Sequence, residues 1–159
     1  MSAGASGAIG LAARGGSRRY LLVFASAAVA FSALHHVDHV IRGNHSGWLF
    51  QAEITPFTFS LLIYALILPG IYLTAKGRDA AGYHLFVAVV GLALLGTVHF
   101  APTGEQESPI HDIYMVYDSP LIGTLALVVL AGLITSVARL AITAFKALRA
   151  RPRPMMEGD

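Results

Sequence analysis

Cysteine is absent from all 159 residues, which excludes disulfides, thiolate metal sites and CxxC redox chemistry. Charge is scarce as well. Only 13% of the chain is Asp, Glu, Lys or Arg, against about a quarter in an ordinary soluble domain. HExxH, GxSxG and GxxxxGK[ST] are all missing, so no specific motif supports hydrolysis or nucleotide use. The chain has instead 55% hydrophobic residues and a mean hydropathy of +0.64. By length it is one domain, and by composition it belongs with membrane proteins.

Crossing about 30 Å of hydrocarbon takes about 20 mostly apolar residues. Four segments meet that requirement, at about 20–41, 54–75, 80–101 and 119–142. The second carries Pro56 in its first turn, where the missing N–H costs nothing, and Pro69-Gly70 in its interior, where a kink is expected. The fourth opens on Ser119-Pro120, a cap followed by a first-turn proline. The pattern predicts an all-α integral membrane protein, an antiparallel four-transmembrane-helix bundle over residues 20–145. A tail over 1–19 precedes it and a basic tail over 146–159 follows.

Lys and Arg placement sets the expected orientation. Arg14, Arg18, Arg19, Lys76, Arg78, Arg139, Lys146, Arg149, Arg151 and Arg153 fall on one side, and Arg42 alone on the other. Both termini are therefore expected in the cytoplasm, with the protein in the plasma or inner membrane. The pI near 9.2 then reflects basic flanks lying against anionic lipid, and no nucleic-acid partner is expected. SRRYLLVFASAAVA, residues 17–30, also has the build of a signal peptide. The helical pattern continuing through His39, with three spans after it, favours an uncleaved anchor.

At the far end of the first span stands LHHVDHVIRGNHSGW, residues 34–48. It follows Tyr20–Leu34, a run without one charge. In this topology His35, His36, His39, His45, His99 and His111 share the outer face with Asp38, Glu53, Glu105, Glu107, Asp112 and Asp118. Only His84 lies toward the inner side. At 100° per residue, His35 and His39 fall within about 40° of each other. His36, Asp38, Ser32 and Arg42 flank them, and Leu34, Val37, Val40 and Ile41 occupy the opposite side. Ionisable groups at membrane depth are costly and face a bundle interior, a partner or a cavity.

Two imidazoles at i, i+4 with a third nearby are a common way to hold a metal ion, and carboxylates can complete or orient the set. The candidate ligands are His35, His36, His39, His99, Asp38, Glu53, His111, Asp112 and Asp118. Iron, copper and zinc all suit imidazole and carboxylate donors, which leaves redox activity open. A haem b held between His39 or His35 and His99 is the first alternative. The second is an accessory subunit of a larger membrane complex, its polar layer a docking surface. Gly132 and Ser136 offer a small-residue face for close helix packing, within the bundle or in a homo-oligomer. Helix 1 with Glu53 and Pro56, and helix 3 with Asp118 and Pro120, share a layout that suggests two hairpin repeats. The inner halves of the spans offer chiefly Tyr64, Tyr72, Thr74, Tyr83 and His84, a poor conduit for ions.

The ten-to-one basic asymmetry carries a topology test. Cysteines introduced at Ser46 and Ser108 are expected to react with an impermeant maleimide in intact cells. One at Gly77 is expected to stay protected, and its labelling from outside would reverse the orientation.

Overall fold

The computed structural model describes residues 3–42, 60–100, 113–114 and 116–151, with 3–15 described by backbone alone. Among these residues the chain is all-helical. Its helices are α1 (Ala3–Ile41), α2 (Leu62–Ala75), α3 (Ala81–Phe100) and α4 (Pro120–Arg149). Three segments, Gly16–Ile41, Ala81–Phe100 and Pro120–Arg149, are long and apolar enough to cross a membrane. The helix α2 has 14 residues, and 54–59, expected as the first turns of its span, lie outside the described residues. The backbone of α1 is helical from Ala3, so the segment expected as a tail over 1–19 runs directly into the first apolar stretch.

Local chemistry explains the boundaries. Ser119 caps α4 by accepting from the Ile122 N–H at 3.5 Å, and Pro120 occupies the first turn, where no amide hydrogen is needed. After α2, Arg78 N–H donates to Leu73 O and Gly77 N–H to Thr74 O, both at 3.0 Å. This is the paired closure of a Schellman turn, and it places Gly77 at φ 77°, where a side chain would be strained. Asp79 then accepts from Ala81 N–H at 3.2 Å and starts α3.

Pairs between helix ends fix the directions. The Arg18 guanidinium, at the start of the apolar stretch of α1, donates to Thr74 O and Ala75 O at the end of α2. His36, near the end of α1, meets Ser60 and Tyr64 at the start of α2. Tyr117, just before α4, donates to Asp38 near the end of α1, while Arg151 beyond α4 pairs with Asp79 before α3. Successive helices therefore run antiparallel. Their main contacts close a ring, α1 on α2, α2 on α3, α3 on α4 and α4 back on α1, with the α1–α4 seam the most extensive.

That seam is built from small residues. Ala25 and Ala28 of α1 are fully buried beside Leu133, Val137, Leu140 and Ala144 of α4. Gly132 admits the ring of Phe31, because a Cβ there would lie 2.5 Å from Phe31 Cε1. On the other side of the ring, a Cβ on Gly70 would meet His84 and Tyr83, each at 2.9 Å. Gly70 thus lets α2 approach α3 just past Pro69. Small residues of this kind let helix backbones approach closely.

Apolar side chains dominate the outside as well as the core. Leu34, Val37 and Ile41 on α1 are more than half exposed, while Ser32, His35, His36 and Asp38 on the same helix are buried. This is the reverse of the soluble pattern. The Phe31 contact leaves no room for a side chain at Gly132 without a shift of that ring. Gly132→Leu is expected to lower the thermal midpoint in detergent, at a cost of about 1–3 kcal/mol for overpacking. Gly96→Leu, where a Cβ meets nothing within 4 Å, is the matched control.

Candidate metal centre

His35 and His39 lie one turn apart on α1, and His99 ends the last turn of α3. Because α1 and α3 run in the same direction, those two ends reach the same level. His35 Nε2 stands 3.0 Å from His99 Nε2 and 3.1 Å from His39 Nε2. One nitrogen from each of the three rings falls within 4.8 Å of the others, so the group can hold a metal ion. His35 is buried and the other two are half-buried.

Hydrogen positions follow from the partners. Leu95 O can only accept, so the 3.1 Å contact from His99 Nδ1 requires a hydrogen on that nitrogen. A neutral His99 then presents a bare Nε2 to the cluster. His35 Nε2 is shared between two neighbours, and its Nδ1 is buried with no hydrogen-bond partner among the described residues. Three neutral imidazoles cannot satisfy both contacts well. A hydrogen on His35 Nε2 points at one neighbour, and a bare His35 Nε2 opposes the bare nitrogen of His99. An added proton would place a net charge among buried groups, which is costly. A cation at the convergence point uses all three lone pairs at once.

The other candidates divide by location. His36 Nδ1 lies 2.7 Å from Tyr64 Oη and His36 Nε2 2.8 Å from Ser60 Oγ, so both ring nitrogens are directed at α2 and away from the three-histidine cluster. Asp38 is buried, and its carboxylate accepts from Arg42 Nη2 at 2.8 Å and from Tyr117 Oη at 2.6 Å. It forms an ion pair laced to α4 beside the cluster. Asp118 sits before the cap of α4 at φ 46°, a left-handed conformation that aspartate tolerates. Glu53, His111 and Asp112 lie outside the described residues, as do His45 and Trp48. His84 is fully buried at the opposite end of the bundle, bonded through Nε2 to Thr74 Oγ1 at 2.8 Å.

Sequence reasoning passed over Tyr117 and the Leu95 carbonyl. A tyrosine 79 positions from its aspartate carries no local signal of the pairing. A backbone oxygen carries none at all.

Tyr117 lies outside the apolar stretches, and partial burial followed by its bond to Asp38 pushes its phenol up to about 12. The folded protein therefore holds this proton longer than the unfolded chain, whose phenol titrates at about 10. Its contribution to stability is complete below about pH 10 and is lost as pH rises toward 12. Ultraviolet titration is expected to show a late-titrating tyrosine signal that diminishes by one residue in Tyr117→Phe and shifts earlier in Asp38→Asn.

No protein family, curated protein or solved structure matches the chain.

Proposed function

We propose that the protein is a multi-pass membrane protein that binds a transition-metal ion, through His35, His39 and His99, on the extracytoplasmic side. The observation that carries this reading is the convergence of three Nε2 atoms, with the His99 ring fixed by the Leu95 carbonyl. Ligands about 2.0–2.1 Å from a tetrahedral ion stand about 3.3 Å from one another. The 3.0 and 3.1 Å separations lie a few tenths of an ångström inside that spacing, so small rotations open the site to an ion. An anchored ring N–H behind a ligating nitrogen is also the usual outer support of a metal histidine.

Membrane integration is supported by three helices of spanning length and by the apolar exterior of α1 beside its buried polar groups. Counting α2 as a fourth crossing gives an even number of spans. Both termini are then cytoplasmic and the histidine layer faces outward. Three imidazoles without thiolate suit zinc, copper or iron. They leave at least one coordination position for water, for an exogenous ligand, or for Glu53, His111 or Asp112 from the flanking segments, whereas Asp118 stands outside the converging group. That open position is where chemistry or ligand exchange takes place.

Haem b is the weaker reading. A haem held by His35 and His99 would have to fit between nitrogens that stand 3.0 Å apart, with His39 Nε2 only 3.1 Å from His35 Nε2. Absence of a Soret band in the purified protein is the expected result.

Elemental analysis of protein purified through a tag without histidine tests the proposal. About one transition-metal ion per chain is expected in the wild type, with its loss in His39→Ala and its retention in His45→Ala. Because the ligands bind as unprotonated imidazoles, affinity should fall on acidification. No metal in the wild type after loading with zinc, copper and iron, or unchanged content in both His35→Ala and His39→Ala, overturns it.

A further inference from the structure

At the end of the bundle opposite the histidines, a cleft of about 640 Å³ opens on the outside of the seam between α3 and α4. Leu85, Ala141, Ile142 and Phe145 line its apolar part, and Lys146 and Arg149 follow one to two turns farther along α4. Its size falls within the range of about 300–1,000 Å³ typical of small-molecule clefts. From Ala141 to Arg149 the rise is about 12 Å, so the cleft changes from apolar to cationic along the helix axis.

The two cations are available. Among the described residues neither is paired with a carboxylate, and the acid nearest this end of α4, Asp79, is bound to Arg151 at 2.7 Å. The Arg149 guanidinium lies 5.7 Å over the Phe145 ring, which holds it at the rim where apolar lining ends. Ile142 and Phe145 are each 49% exposed, so the apolar part is continuous with the outer surface of the bundle. An occupant must therefore be apolar along the cleft and anionic where α4 emerges. A free phosphate would engage the cations and leave the apolar length unused.

We propose that this cleft is a binding site for one anionic phospholipid of the inner leaflet, an acyl chain lying along Leu85, Ile142 and Phe145 and the headgroup phosphate between Lys146 and Arg149. The proposal rests on the membrane topology given above and is independent of the metal. Basic residues near the surface attract anionic lipid electrostatically wherever they stand, and the cleft adds a fixed seat for the chain.

The test uses the full chain reconstituted in mixed phosphatidylcholine–phosphatidylglycerol bilayers, then extracted into mild detergent for native mass spectrometry of retained lipid. Wild-type protein is expected to retain phosphatidylglycerol over phosphatidylcholine by about thirtyfold, the scale of two near-surface cations. Lys146→Gln with Arg149→Gln should remove most of this preference. Ala141→Trp, which fills the cleft and leaves both charges, should reduce it too. Arg19→Gln with Arg78→Gln, two exposed cations at the same end outside the cleft, should lower it far less. Equal retention of both lipids by the wild type, or equal loss of preference in the two double variants, overturns the site. Release of the protein from bilayers by alkaline carbonate overturns the membrane topology and this site with it, whereas lost preference in protein that stays inserted counts against the site alone.

Discussion

The structure depends on one constraint: polar groups on helices with apolar exteriors must find their partners inside the bundle. Each unsatisfied group in such surroundings costs several kcal/mol, so placement of the polar residues of α1 dictates how that helix turns. Ser32, His35, His36 and Asp38 all face inward, and each neighbouring helix supplies a partner. The helix α2 brings Ser60 and Tyr64 to His36, α3 brings His99 to His35, and Tyr117 at the head of α4 reaches Asp38. One face of one helix thus fixes the rotation of α1 against the other three.

Within that face the groups differ in kind. His36 and Asp38 are satisfied by hydroxyls and a guanidinium, a closed arrangement that stabilises the bundle and leaves little valence to offer. His35, His39 and His99 are left with three nitrogens directed at one point and too few hydrogens to share. Buried polar networks left partly satisfied are costly in low dielectric, so a cation there relieves a strain that protons cannot. The ion pair of Asp38 with Arg42 keeps the adjacent charge balanced, since each would be expensive alone at such burial.

The opposite end is organised differently. Arg18 closes the carbonyls at the end of α2, His84 and Thr74 bond to each other in the core, and Arg151 ties the end of α4 to the turn before α3. These contacts are local locks between neighbouring helix ends. Lys146 and Arg149 at this end are exposed. The bundle therefore has one end built inward around a histidine cluster and one built outward toward its surroundings.

Much of this was legible in the sequence. Apolar runs of spanning length, the Ser119-Pro120 start of α4 and the inward turn of His35 and His39 follow from period and hydropathy, because helix geometry alone assigns a residue to a face. The outward placement of Leu34, Val37, Val40 and Ile41 was readable for the same reason. Tertiary structure decided which polar neighbours share a centre. His35 and His36 are adjacent in the chain yet diverge by 100° around the helix, so one meets α3 and the other α2. The choice between a metal ligand and a hydrogen-bonded core histidine thus lies in which helix packs on each side. That order depends on seams such as Phe31 against Gly132 and His84 against Gly70, whose residues stand far apart in the chain. Local sequence determines what each helix face offers, and only the packing of distant small residues determines what that face meets.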